Sequence, residues 1–329
     1  MAEARPRPAP LLPTLALVAG LPGGTAPQQT TAADPNIHLP PDTVEARLAH
    51  GEFELLELRP ARGVEGDRTS QATLEFDDGT MMLVQWAPAV RGGDTFNNSP
   101  RYELAAYRLQ SLFLEPDEWV VPPTVLRAFP LDWYRRLDRY PRPTFADTES
   151  VLVLLQYWLF YVTPEGVWDP DRFASDTAYA RHLANFNIFT YLTRHSDQNV
   201  GNYLISRVRS HPRVFSVDNG LAFASQESDR GADWRWLRVD RLPAATIERL
   251  RSVSREALQR RLETVAEFGI DETGALIPRA PGPALHSGRG VRRSRDVVQF
   301  GLTRMEIQGV WRRIRDLLER VDRGEIRLF

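Results

Sequence analysis

Hydrophobic and polar positions first fall into a period of two, over residues 43–86. Glu54-Leu55-Leu56-Glu57-Leu58 reads as a strand, and Ala72-Thr73-Leu74-Glu75-Phe76 as a second one. Asp77-Asp78-Gly79 then supplies a hairpin turn, and Met81-Met82-Leu83-Val84-Gln85-Trp86 the returning strand. The period changes at Ser99, a helix N-cap followed by Pro100 at the first helical position. Leu104, Ala105, Tyr107, Leu109 and Leu112 then mark one apolar helical face. Val120-Val121-Pro122-Pro123 and Val151-Leu152-Val153-Leu154-Leu155 predict further strands, the second apolar enough to be covered on both faces. Residues 178–193 predict a buried helix, and 203–205 with 214–217 two short strands. Helix is expected over 244–268 and a polar loop over 271–295. Thr303-x-x-Glu306 is a capping box, opening a helix whose apolar stripe runs from Ile307 to Val321.

The order is strand-rich first and helical afterwards. It predicts an α+β, two-lobed chain with an antiparallel sheet and one helix in the N-lobe, and a mainly helical C-lobe. The expected division is a leader over 1–42, an N-lobe over 43–160 and a C-lobe over 161–329. In the leader, Arg5 and Arg7 precede an apolar run at 11–21 and small residues at 23–26, the order of a secretory signal, although Glu3 and Pro13 interrupt it. If the segment is a signal, the location is exported or periplasmic; if it is a Pro/Ala-rich tail, cytoplasmic. No run approaches the roughly 20 apolar residues of a membrane span.

Composition narrows the chemistry. Of 329 residues 41 are basic and 43 acidic, a net charge of −2, which offers no basic field for nucleic acid. Cysteine is absent, closing thiolate chemistry and disulfides. Lysine is absent too: every basic residue counted is Arg, so no mechanism can use a lysine amine.

The densest polar cluster is His195-Ser196-Asp197-Gln198-Asn199-Val200-Gly201-Asn202, between the buried helix and a strand. Val217-Asp218-Asn219-Gly220-Leu221-Ala222 closes the second strand. Metal-dependent phosphoryl transfer needs a carboxylate to orient the acceptor hydroxyl, a second one for Mg²⁺ or Mn²⁺, and an amide oxygen to complete the coordination. Asp197, Asp218 and Asn202 are that set. The spacing from Asp197 to Asn202 is that of H-R-D-x-x-x-x-N, and Asp218-Asn219-Gly220 stands where D-F-G stands. Asp and Asn alone would be turn chemistry; the two motifs framing a strand pair point to a kinase-like catalytic segment. His182 reads as a core histidine, and His211 and His286 lack partners at metal spacing. Trp234-Arg235-Trp236, just after the metal motif, reads as packing beneath that loop or as the lining of an acceptor site.

Over roughly residues 63–251 the chain resembles the secretory-pathway kinases of the Golgi casein kinase and four-jointed type, and more distantly HipA-type and phosphoinositide kinases. Besides the two motifs, Glu103-Leu104-Ala105-Ala106-Tyr107 is similar to that family's helix-C stretch, and Val121-Pro122-Pro123-Thr124-Val125 to the strand after it. The resemblance implies ATP and Mg²⁺ or Mn²⁺ as cofactors and a protein or glycan hydroxyl as acceptor. It assigns acceptor orientation to Asp197, metal to Asp218 and Asn202, and the helix-C carboxylate to Glu103. Arg62-Gly63-Val64-Glu65-Gly66 falls where a phosphate loop would lie, through Gly63 and Gly66.

One element departs from the family. The strand before that helix should present a Lys to the phosphates, and Gln85 stands there instead. A neutral donor makes a bond about half as strong as a charged one. Either an Arg (Arg62, Arg68, Arg91 or Arg101) supplies the charge, or the protein is a pseudokinase that binds nucleotide, metal or a partner without turnover. A two-lobed binding protein of another kind is the third reading.

Overall fold

The chain divides into two units, Met1–Ala33 and Asp34–Phe329. A computed structural model describes residues 34–60, 69–95, 99–223 and 239–329. The secretory-signal reading, Gly63 and Gly66 of the phosphate loop, Arg62, Arg68 and the Trp234–Trp236 pair therefore lie outside the described residues.

Within the second unit the first element is a helix, not a strand. Pro41 opens α1 (Pro41–His50), and Val44 and Leu48, one turn apart, are its buried positions. Residues 34–40, expected in the leader, are also packed: Asn36 and Ile37 are buried, so the fold begins by Asp34. β1 (Phe53–Pro60), β2 (Ser70–Phe76) and β3 (Met81–Pro88) follow as read from the alternation. Gly79, at φ 78°, makes the β2–β3 turn, a conformation that costs a side-chain-bearing residue dearly. α2 (Pro100–Gln110) begins at the expected Ser99, although the Ser99 hydroxyl donates to Asp94 instead of capping the helix.

The strand after α2 is β4 (Thr124–Pro130). The four residues expected to form it are irregular, because Pro122 and Pro123 have no N–H for a ladder. They are held instead by the Gln110 side chain, whose oxygen accepts from Val120 and Val121 N–H at 2.7 and 2.8 Å. A short α3 (Leu131–Tyr134) leads towards β5 (Ser150–Tyr157). The sheet order is β1-β2-β3-β5-β4, antiparallel throughout. β5 is buried along its whole length for a simple reason. Val153 and Leu155 face α1 with Val84 and Trp86, while Leu152 and Leu154 face α2 and the second lobe. Each such side chain removed from water stabilises by about 1.5–3 kcal/mol. Among its described residues the N-lobe thus carries three α-helices where one was expected.

The C-lobe opens with β6 (Val162–Thr163), α4 (Pro170–Ser175) and α5 (Thr177–Thr193), an almost wholly buried helix. β7 (Tyr203–Ser206) and β8 (Val214–Ser216) pair beside β6. β9 (Arg241–Leu242), α6 (Ala244–Ser252) and α7 (Arg255–Leu262) come next. The expected helix to residue 268 stops at Leu262, and the expected polar loop is interrupted by two strands, β11 (Leu276–Arg279) and β12 (Val291–Arg293), which join β10 (Ala266–Ile270) and β13 (Val297–Phe300) in a sheet of order β11-β10-β13-β12. Its polar sequence hides a buried strut. Arg292 donates to the carbonyls of His286, Glu263 and Leu302, so a guanidinium satisfies three backbone acceptors inside the fold. The capping box on Thr303 and Glu306 starts α8 (Arg304–Asp322), and β14 (Arg327–Leu328) pairs with β9.

Candidate active site

The site lies where α2 meets the two motifs that flank β7 and β8. Arg194 ends α5 in the left-handed conformation (φ 46°), turning the chain sharply into His195. His195 is fully buried and its ring lies against the backbone of Asp218; burial pulls its pKa down to about 4, so it is neutral. The next turn folds on itself. Asn202 Nδ2 donates to the backbone oxygen of Asp197 at 2.8 Å, and Asn199 Nδ2 to its carboxylate at 3.0 Å. Because the Asn202 amide nitrogen is committed to Asp197, its oxygen is the end left to face a ligand.

Asp218 follows β8 at φ 57°, a left-handed position that Asp tolerates at a cost of roughly 1 kcal/mol. Several bonds tie this turn to the Asp197 loop. Val217 N–H donates to Asn202 O at 2.9 Å, and Ser196 Oγ donates to Leu221 O at 3.0 Å. The geometry therefore laces Asp197, Asn202 and Asp218 into one construction.

Glu103 reaches this construction from α2. It is 5% exposed, and Asn219 Nδ2 lies 3.4 Å from its carboxylate. Gln156 of β5 is its second hydrogen-bonding neighbour. Burial first, and then the negative charge of Asp218, push the Glu103 pKa well above the ordinary carboxylate range. A buried acid thus stands beside a second, half-buried one. Gln85 is half-buried and lies opposite Gln156 in the β3–β5 ladder, so it is on the same sheet face, towards α2.

The two described charge substitutes, Arg101 and Arg91, are not at Glu103. Arg101 donates to Asp94 and to Glu306 of α8, both at 2.9 Å, which draws it towards the C-lobe. Arg91, expected among the nucleotide contacts, is exposed in the turn beyond β3. Among the described residues no Arg forms an ion pair with Glu103. Gln156 was missed in the sequence because it reads as the tail of an apolar strand; its polarity inside that run was the available signal.

Among the described residues no three His, Asp or Glu side chains gather into a metal cage by themselves. The donor set still fits a hard divalent cation. Glu103 and Asp218 offer carboxylates and Asn202 an amide oxygen, and Mg²⁺-type sites commonly take their remaining ligands from phosphates and water. Among the described residues no helix is long and apolar enough to cross a membrane.

No family model and no curated protein matches the chain. Among solved structures it is similar to hydra Fam20, from a structure with sugar, at a TM-score of 0.50 and 16% identity, covering 86% of this chain and 90% of that one. The likeness shows the fold: a mixed α+β, Fam20-like kinase fold, as the two motifs implied.

Proposed function

We propose that this protein is a kinase-like phosphotransferase that moves the terminal phosphoryl group of ATP, with Mg²⁺ or Mn²⁺, to a hydroxyl of a glycan or a protein. The observation that carries the reading is the meeting of Glu103 with the Asp218–Asn219 turn beside the Asp197–Asn202 loop. The similarity to hydra Fam20, solved with sugar, favours the glycan side of the acceptor class.

The roles follow from position. Asp197 carries its carboxylate on a turn pinned by Asn199 and Asn202, and there it would accept a hydrogen bond from the acceptor hydroxyl and take its proton. Asp218, Asn202 and Glu103 would hold the metal. Bound there, the metal supplies positive charge to the transferring phosphoryl oxygens. His195 stays neutral beneath the turn and holds the Asp218 backbone by packing.

A second reading rests on Gln85. With Arg101 drawn away and no described Arg paired to Glu103, the protein would bind nucleotide or metal without turnover. The two readings part in one assay: ATP hydrolysis and transfer to glycan or protein acceptors with Mn²⁺, comparing parent and Asp218→Ala. Parent turnover that Asp218→Ala abolishes supports the enzyme. Parent turnover equal to that of Asp218→Ala supports the pseudokinase.

A further inference from the structure

The usual lysine does two things for a helix-C carboxylate: it fixes the carboxylate's direction and neutralises it. In this chain the two tasks are separable, because among the described residues no cation pairs with Glu103 and its hydrogen-bond donors are neutral. Besides the Asn219 backbone N–H, its hydrogen-bonding neighbours are two side-chain amides, Asn219 and Gln156. An amide can be turned either way, so something must decide which end faces the carboxylate.

A hydroxyl decides in each case. Ser216 Oγ donates to Asn219 Oδ1 at 2.9 Å, which turns the Asn219 nitrogen to Glu103. On the other side, Thr124 Oγ1 donates its single proton to Pro122 O at 2.8 Å. The Thr124 oxygen is then only an acceptor, and Gln156 Nε2 donates to it at 2.9 Å. That bond fixes the Gln156 nitrogen end beside Glu103, with a second N–H for the carboxylate. Thr124 is fully buried and Gln156 2% exposed, so water does not compete. The register makes the arrangement rigid: Thr124, Gln156 and Gln85 are consecutive partners across β4, β5 and β3.

We propose that Gln156, oriented by Thr124, is the positioning residue that takes over the lysine's directional task for Glu103 and leaves the charge of Glu103 to the metal. The inference rests on the proposed metal-dependent function. Neither residue touches the metal or the phosphates; both act through Glu103. Pro122 enters as the carbonyl that consumes the Thr124 proton, which explains a use for an irregular segment just before β4.

The test is Mn²⁺ binding to the whole chain, measured by electron paramagnetic resonance of free Mn²⁺ with a nonhydrolysable ATP analogue, alongside thermal melting. Gln156→Leu keeps the volume and removes the donor; it is expected to weaken Mn²⁺ about tenfold, the usual scale for a group that orients a metal ligand. Thr124→Val should weaken it in the same direction, and Thr124→Ser, which keeps the hydroxyl, should restore parent affinity. A purely structural role would lower the melting temperature of Thr124→Val and Thr124→Ser alike, without separating their Mn²⁺ affinities. Parent-like Mn²⁺ affinity in Gln156→Leu overturns the positioning role and leaves the proposed function standing. If Gln156→Leu does not fold, Thr124→Val decides in its place, and parent-like affinity there overturns the role. A parent that takes up no Mn²⁺ with the analogue overturns both readings.

Discussion

Gln85 shows how much one residue changes. On the sheet face beside Gln156, it leaves Glu103 held by amides and pressed by Asp218. Gln85→Lys would place a cation there, pulling the Glu103 pKa down and offering phosphate a charge-assisted bond. Metal-free ATP binding is expected to tighten by about tenfold, one charged bond's worth, in a fluorescent-nucleotide titration with chelator present. Unchanged binding would show that position 85 does not reach the nucleotide. His182 offers a second residue-level test. Burial, reinforced by Arg213, depresses its pKa to about 3, so the folded protein keeps it neutral. The unfolded chain takes up that proton below about pH 6.5, and stability falls as pH drops from there towards the folded value. On this account His182 is expected to lower stability at pH 5 by about 2 kcal/mol relative to pH 7.5 in urea unfolding, with a similar share from the buried His195. His182→Leu should roughly halve that slope; an equally steep slope in the variant would assign it elsewhere.

At the scale of elements, α2 matters most because it carries Glu103. Two of its residues bind it to the C-lobe. Arg101 pairs with Glu306, the capping residue of α8, and Tyr102 donates to the same carboxylate at 2.6 Å. The Tyr102 ring stacks on Phe223, 5.9 Å away, at the end of the turn that follows β8. Arg101 is 8% exposed and Glu306 14%, so Arg101→Leu strands a buried carboxylate. A loss of about 3–5 kcal/mol is expected in chemical denaturation, the usual cost of halving a buried pair. A loss below 1 kcal/mol would mean that water reaches Glu306 freely. This helix was legible in the sequence, since Ser99-Pro100 announced its start and the Leu104–Leu109 face its period. α1 was not, because Asp42, Glu45 and Arg47 dilute a face of only two buried residues. The β10–β13 sheet was hidden for a related reason: strands of three to five residues are too short for a period, and Arg292 does inside the fold what its charge advertises outside. The candidate site was legible in Asp197, Asn202, Asp218 and Glu103 as a spacing. Their amide and hydroxyl supports were not, since Thr124 and Gln156 meet only through strand register.

Across the whole second unit, the segment before α1 works as a strap on the crossing between lobes. Asn36 Nδ2 donates to Phe160 O at 2.8 Å, and Phe160 N–H donates back to Asn36 O at 3.2 Å. His38 stacks on the Phe160 ring, with centroids 4.5 Å apart. Two residues earlier than Asn36, Asp34 pairs with the buried Arg213 just before β8, and Arg213 also donates to Trp119 O at 2.7 Å. One short stretch therefore ties the 158–161 crossing to the C-lobe and to the loop after α2. Asn36→Ala removes the side-chain half of that tie and is expected to cost about 1–2 kcal/mol, with faster proteolysis near residue 160. Parent-like stability and cleavage would show that the backbone bond alone holds the crossing.

The row of amides across β3 and β5 also has a practical side. Acyl-phosphate derivatives of ATP, used to tag kinases, work by acylating the lysine amine next to the phosphates. Under the proposed function that position is filled by Gln85, and the chain has no lysine anywhere. A proteome surveyed with such reagents would pass over this protein even with its site full.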